Sequence, residues 1–120
     1  MIRKKLISFL LVPLLWGTGF WHPSIVAADT AQANYKELCV KCHGVSGKGN
    51  GPEAKTLNPR PADYTDCKKM TADSDDTLFK IIKNGSLSVG RSKEMPPWKE
   101  ALSDDEIHDL VKYVRSFCKK

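Results

Sequence analysis

The sequence has no apolar run long enough to cross a lipid bilayer. Its most apolar stretch, residues 6–20, contains 15 residues, whereas a transmembrane helix needs about 20. Three basic residues precede this stretch at positions 3–5 and small side chains follow it at positions 26–28, which is the pattern of a secretory signal peptide. We therefore predict a signal peptide over residues 1–28, cleaved before Asp29, and a periplasmic mature domain over residues 29–120 with no membrane span. The alternative is an uncleaved leader that anchors the protein to the membrane.

The predicted mature domain also lacks a strong charge of either sign. It has 92 residues with 16 basic and 14 acidic side chains, because residues 1–28 contain three of the 19 basic residues and none of the 14 acidic ones. A net charge of +2 does not favour a nucleic-acid partner. A domain this small buries a modest core and usually needs an additional source of stability, such as a bound cofactor or a disulfide.

Strand-like alternation, internal repeats and low-complexity tracts are absent as well. Helical patterns predict three helices, at about 31–42, from 73 or 74 to 84, and from 103 to 117, and hence an all-α domain. The second has an N-cap at Asp73 or Ser74 and stops at Asn84-Gly85, and the third opens with a capping box of Ser103 and Glu106. The long loop 44–72 and a second loop before the last helix imply that something fills the space between them.

The segment Cys39-Val40-Lys41-Cys42-His43 has the spacing of a c-type haem attachment motif. Residues i, i+3 and i+4 share one face of a helix, so both thiols and the imidazole face a single ligand. We expect Cys39 and Cys42 to hold one haem c as thioethers and His43 to coordinate its iron. A thioredoxin-like redox pair would need a βαβ setting, and a structural zinc would need two further ligands at compact spacing. The sequence suggests neither.

Two methionines beyond the predicted leader, Met70 and Met95, are candidates for the second axial ligand. Met95 precedes Pro96, which disfavours helical geometry at Met95, and Pro96-Pro97 stiffens the loop that presents its thioether. We therefore predict Met95 as the ligand and expect Met70 to pack in the core or lie at the surface. His108 falls on the polar face of the last helix, where we expect it to be solvated.

The chain resembles the class I, mono-haem cytochromes c over essentially all of residues 31–117. Four ordered motifs carry the resemblance: Cys39-Val40-Lys41-Cys42-His43-Gly44, Leu57-Asn58-Pro59-Arg60-Pro61-Ala62-Asp63-Tyr64, Met95-Pro96-Pro97-Trp98, and the closing helix 102–115. The resemblance implies a small fold of three main helices and long loops wrapped around one covalently bound haem. It also implies that the first and last helices cross and that His43 and Met95 are the axial ligands.

Further roles in the haem pocket follow from the resemblance alone. A proline carbonyl in the Pro59 to Pro61 stretch is expected to accept the His43 ring N–H, which would fix the ring. Arg60 and Trp98 are expected near the haem propionates. The alternatives are a solvated loop charge for Arg60 and an ordinary core aromatic for Trp98.

Cys67 and Cys118 are not standard in that family. Two spare cysteines in a small secreted domain usually pair, so we predict a disulfide between them. Such a bridge would tie the central loop to the last helix, and the chain-entropy model assigns roughly 4 kcal/mol to a closed loop of about 50 residues. The alternative is a pair of free, buried thiols.

Axial ligation by His43 and Met95 would leave no iron position for a substrate. We therefore predict an electron-transfer protein and not an enzyme: a monomeric one-electron carrier that meets redox partner proteins through small, transient contacts. Five lysines flank the haem-binding segments and would steer an acidic partner, or are merely solvated: Lys41, Lys48, Lys55, Lys93 and Lys99. One alternative is a haem c subunit of an envelope oxidoreductase complex. The other, if Met95 is not a ligand, is a haem protein that binds a gas or reacts with peroxide.

Overall fold

The computed structural model describes residues 24–118, and these form helices joined by loops, with no strand among them. The α-helices are α1 (Ser24–Asn34), α2 (Val40–His43), α3 (Cys67–Ala72), α4 (Asp75–Asn84) and α5 (Asp104–Ser116). A π-helical turn, Tyr35–Cys39, joins α1 to α2, and 3-10 turns lie at Ala54–Thr56 and Ser86–Val89. The all-α class predicted from the sequence is confirmed.

The two later predicted helices lie where the sequence places them, because local capping chemistry sets their ends. The Ser74 side chain accepts a hydrogen bond from the Thr77 amide at the start of α4, and the helix ends at Gly85. At the start of α5, Ser103 and Glu106 form the predicted capping box. Side-chain acceptors at these positions satisfy amide groups that have no partner inside the helix.

The first predicted helix and the first predicted loop both need correction. Helical structure begins at Ser24 and runs through the π-helical turn to His43, whereas the sequence predicted a start near Ala31. α3 lies inside the predicted loop 44–72, where the Asp66 side chain caps it by accepting from the Lys69 amide. Residues 1–23, which contain most of the predicted signal peptide, lie outside the described residues, so the boundary at Asp29 stays a prediction.

The core forms where α1 and α4 pack against α5. Its most deeply buried large side chains are Tyr35, Ile107 and Leu110. The Tyr35 ring lies 5.2 Å from the Tyr113 ring and 5.3 Å from the Phe117 ring, measured between centroids. These contacts hold the π-helical turn that leads into the attachment motif against the last helix.

Two further connections hold the region around α3 to the end of α5. The structure joins Cys67 to Cys118, whose Cα atoms are 5.1 Å apart. The Arg115 guanidinium donates to the backbone carbonyls of Met70 and Asp73 and to the Asp75 carboxylate. Among the described residues, no helix is long and apolar enough to span a membrane.

Candidate functional site

A cavity of about 790 Å³ opens between the attachment motif, the segment 57–64 and the segment 91–98. Small-molecule and cofactor cavities in proteins occupy about 300–1,000 Å³. Every residue that the sequence predicted for the cofactor lines this cavity: Cys39, Cys42, His43, Pro59, Arg60, Pro61, Met95 and Trp98. These residues come from three separate segments, and the fold brings them to one space.

The loop that follows the attachment motif fixes the end of α2. Gly49, Gly51 and Glu53 donate their backbone amides to the carbonyls of His43, Cys42 and Lys41, at 2.8, 3.0 and 2.9 Å. These carbonyls belong to the last turn of a helix and lack intrahelical partners. The buried Tyr35 hydroxyl, from the π-helical turn before α2, donates to the Gly44 carbonyl at 2.8 Å and adds a further contact to this loop.

The two cysteines of the motif are half-buried and are not joined to each other. Burial raises the pKa of the Cys39 thiol to about 11, and the neighbouring Cys42 adds to the effect. Burial also raises the pKa of Cys42, together with the Glu53 carboxylate, whose Oε2 atom lies 3.7 Å from the Cys42 Sγ atom. Before any covalent attachment, both side chains are therefore neutral thiols near pH 7, and both line the cavity.

The His43 imidazole is buried and held on one side by a backbone carbonyl. Its Nδ1 atom lies 3.3 Å from the Ala62 carbonyl oxygen. Burial lowers the pKa of His43, although the bond to Ala62 opposes this shift, so the ring is neutral near pH 7. A neutral imidazole whose Nδ1–H donates to a carbonyl keeps its lone pair on Nε2, which is the form that binds a metal.

This geometry corrects the prediction that a carbonyl of the Pro59 to Pro61 stretch accepts the His43 ring N–H. The acceptor is the next residue, Ala62. The Pro61 carbonyl oxygen instead lies next to Gly49, so close that a Cβ atom on residue 49 would collide with it. The carbonyl that contacts the His43 ring is therefore one residue further along the chain than the resemblance implied.

Tyr64 is a contact of His43 that the sequence did not predict. The two rings stack with centroids 4.6 Å apart and planes inclined by 14°, and the Tyr64 hydroxyl lies 3.2 Å from the His43 Nε2 atom. Tyr64 is the last residue of the motif Leu57 to Tyr64, but nothing in that motif indicates which neighbour its ring contacts. Burial raises the pKa of Tyr64 well above its ordinary value, so the hydroxyl is neutral.

Both candidate methionines line the cavity, and their surroundings differ. Met95 is half-buried on the loop before α5, with Pro96 beside it on the cavity wall. Met70 is only 4% exposed and belongs to the hydrophobic core, which agrees with the expectation that it packs there. His108 is exposed and stacks on the Phe79 ring at 4.3 Å, away from the cavity wall, so the prediction of a solvated histidine is confirmed.

The cavity wall contains polar groups suited to an anionic group on a ligand. The Trp98 Nε1 atom is buried and has no hydrogen-bond partner among the described residues, and a buried donor without a partner is costly. Arg60 is exposed and lines the cavity. Arg91 also lines it and pairs with Asp73, with N–O distances of 2.6 and 2.9 Å. Sequence analysis missed Arg91 because the pair joins residues 18 positions apart with no motif.

The five lysines named from the sequence are all exposed. None of them forms an ion pair within residues 24–118, whereas Lys69, Lys83, Arg91, Lys112 and Arg115 each pair with an aspartate. Lys41 also lines the cavity. Surface cations that form no ion pair contribute to the electrostatic field around the protein.

Comparisons with known protein families, sequences and structures agree with one another. The profile of the family described as "Cytochrome C oxidase, cbb3-type, subunit III" matches residues 26–114. Cytochrome c-554(548) of Halomonas halodenitrificans is 30% identical over 91 residues, which make up 75% of this chain and 98% of that protein. The cbb3-type cytochrome c oxidase subunit FixP of a Bradyrhizobium species is 34% identical over 82 residues, 68% of this chain and 24% of that subunit.

A solved structure, the KustC0563 c-type cytochrome, superposes with a TM-score of 0.60 at 29% identity. The superposition covers 72% of this chain and 95% of that structure. It confirms the small all-α fold predicted from the sequence. The region matched by the family profile contains every residue of the cavity wall.

Proposed function

The chain belongs to the cytochrome c family, and from this premise we propose a one-electron carrier of the bacterial cell envelope whose iron is held between His43 and Met95. Members of the family bind haem c covalently, so the protein contains this cofactor and works with redox partner proteins. The haem iron supplies a one-electron couple when it is bound. What this chain contributes is the attachment, the two axial ligands, the cavity and the surface that meets the partner.

The observation that carries the proposal is the convergence of attachment and ligand groups on one cavity. Cys39, Cys42, His43 and Met95 all line it, although Met95 is more than 50 positions from the motif. The volume of the cavity also falls within the range of cofactor sites. The residues present therefore fit a covalently attached haem.

The protein positions His43 and Met95 by different means, a hydrogen bond for His43 and a stiff loop for Met95. The Ala62 carbonyl holds the His43 ring and leaves the ring's lone pair on Nε2, the atom that would bind the iron. Met95 stands on a proline-stiffened loop, which lowers the entropy lost when the thioether is fixed. With both axial positions filled by protein, no position remains for a substrate, and methionine ligation raises the reduction potential. These properties favour a carrier over an enzyme.

Trp98 and Arg60 are proposed to meet the haem propionates. The unpartnered Nε1–H group of Trp98 supports this role, since a carboxylate in the cavity would satisfy it. Arg60 lines the same cavity and is exposed, so it can reach a carboxylate at the cavity mouth. A charged acceptor strengthens both hydrogen bonds.

The exposed, unpaired lysines support a docking face for an acidic redox partner. We define this lysine face as Lys41, Lys48, Lys55, Lys93 and Lys99, which flank the haem-binding segments. Opposite charges increase the rate of encounter more than they prolong the complex. Fast encounter and fast release suit a monomer that carries electrons between larger proteins in the periplasm, where the predicted signal peptide would deliver it.

An absorption spectrum of the haem-loaded protein, recorded in the ferrous state with and without carbon monoxide, tests the proposal. The protein is produced in a host that attaches haem to c-type cytochromes. A carrier with both axial positions filled is low-spin and keeps its spectrum when carbon monoxide is added. Rapid carbon monoxide binding would contradict the assignment and favour a haem protein that binds a gas or reacts with peroxide.

Similarity to FixP and the matched family description favour one second candidate, a haem c subunit of an oxidoreductase complex. Because the chain matches only 24% of FixP, the remainder of that subunit has no counterpart in the alignment. Native purification from cell envelopes separates the two functions. A free carrier elutes at the size of a single chain, whereas a subunit co-elutes with larger proteins under conditions that preserve complexes.

A further inference from the structure

The end of α4 and the segment that contains Met95 satisfy each other's backbone groups. The amides of Trp98 and Lys99 donate to the carbonyls of Ile82 and Lys83, at 3.0 and 3.2 Å. The last four carbonyls of a helix have no partner inside the helix, so an external donor is needed. Here the donors come from the residues that directly follow Met95-Pro96-Pro97.

A third backbone bond reaches Met95 itself. The Ser86 amide donates to the Met95 carbonyl at 3.2 Å. Together the three bonds hold the segment on both sides of its prolines against the end of one helix. The position of the Met95 Cα atom, and hence the reach of its side chain, depends on how closely the two backbones approach.

Gly85 lies against the backbone of the Met95 segment. Its backbone has a φ of 79° and a ψ of 158°, a conformation that is essentially restricted to glycine. A Cβ atom at residue 85 would lie 2.9 Å from the Met95 carbonyl oxygen, 3.2 Å from the Pro97 nitrogen and 3.3 Å from the Pro96 carbonyl carbon. All three are backbone atoms of a stiff segment and cannot rotate away as a flexible side chain would.

We propose that Gly85 and the Ser86 amide form a backbone seat that positions Met95 for the iron, so that Gly85 is a positioning residue for the axial ligand. This inference rests on the proposed function, because it takes Met95 as that ligand. A side chain at residue 85 would push the Met95 carbonyl outward and move the thioether with it. The bond between Met95 and the iron would therefore weaken more than it does when one backbone residue elsewhere is strained.

Gly90 provides a control for a positive φ without a collision, because it ends the adjacent 3-10 turn with a φ of 75° and has nothing within 4 Å of a Cβ built on it. Gly90→Ala therefore introduces left-handed strain without touching the Met95 segment. Gly85→Ala introduces strain and the collision together. The readouts are carbon monoxide affinity of the ferrous haem-loaded protein and the far-red absorption band of a methionine sulfur bound to ferric iron, which a purely structural role would leave in place.

We expect Gly85→Ala to bind carbon monoxide at least about tenfold more tightly than the wild type, which corresponds to a ligand bond weakened by about 1.4 kcal/mol, and to lose much of the far-red band. Gly90→Ala is expected to keep the band and the resistance to carbon monoxide. A folded Gly85→Ala protein with wild-type values for both would overturn the inference. Wild-type protein that binds carbon monoxide readily would instead overturn the proposed function, so the two failures are distinguishable.

A second pair of variants covers the case in which Gly85→Ala does not fold. Ser86→Pro removes the amide that holds the Met95 carbonyl, at a first-turn position where proline is tolerated, and the extended ψ of Gly85 suits a following proline. Ser86→Ala keeps the amide and removes only the hydroxyl bond to the Ser92 carbonyl, so it sets the baseline. We expect tighter carbon monoxide binding in Ser86→Pro than in Ser86→Ala, and equal affinities would overturn the inference.

Discussion

Removal of the Cys67–Cys118 link should lower the stability of the domain without moving its native contacts. The two cysteines are 51 positions apart. For a loop of that length the chain-entropy model gives a loss of about 4 kcal/mol in the free energy of unfolding, because the unfolded chain gains freedom when the link is removed. The native arrangement should persist in the double variant Cys67→Ser, Cys118→Ser, since Arg115 still donates to the Met70 and Asp73 carbonyls.

Urea unfolding of the haem-loaded protein, followed by far-ultraviolet circular dichroism, measures this loss. We expect a lower midpoint and a steeper dependence on urea, because the unlinked unfolded chain exposes more surface. A thiol reductant should bring the wild type close to the double variant and leave the double variant unchanged. An unchanged midpoint, or two free thiols found by mass spectrometry in the mature protein, would refute the pairing.

Three more predictions concern charge and hydrogen bonding at the site. The hydrogen bond from Arg91 lowers the pKa of Asp73. The ionised Asp73 therefore stabilises the fold above the unfolded carboxyl pKa of about 3.9, and this contribution disappears as the pH falls through the lower folded pKa. Asp73→Asn should accordingly flatten the loss of stability between neutral and acid pH, measured by unfolding at several pH values. Trp98→Phe, which keeps the ring but removes the Nε1–H donor, should shift the reduction potential and its pH dependence, whereas an unchanged potential would assign Trp98 to core packing alone. Reversing Lys93 and Lys99 to glutamate should slow reduction by an anionic protein donor and weaken the dependence of that rate on salt, and equal rates in stopped-flow mixing would remove these lysines from the docking face.

The features that sequence predicted well are those set by chemistry within a few residues. Both ends of α4 and the start of α5 follow from Ser74, Gly85, Ser103 and Glu106, whose side chain or backbone acts within the same turn. The attachment part of the cavity wall follows from the spacing of Cys39, Cys42 and His43, which alone places the three side chains on one face. Local rules suffice in these cases because the partner is near in the chain.

The features that sequence missed depend on contacts between distant segments. α3 is only 6 residues long, too short for a periodic pattern to stand out. The carbonyl that meets His43 belongs to Ala62 because the Pro61 carbonyl faces Gly49, which no local rule anticipates. The pairing of Arg91 with Asp73 and the stacking of Tyr64 on His43 are likewise products of the folded arrangement.

One spectroscopic comparison decides whether Met95 completes the coordination of the iron. The far-red sulfur-to-iron band of the ferric haem-loaded protein is measured in the wild type, in Met95→Ala and in Met70→Leu. Met70 is the matched control, because it is the other methionine on the cavity wall and a core residue whose volume leucine nearly preserves. We predict that the band is present in the wild type and in Met70→Leu and absent from Met95→Ala. A band that survives in Met95→Ala and disappears in Met70→Leu would exclude Met95 as the ligand and assign this role to Met70.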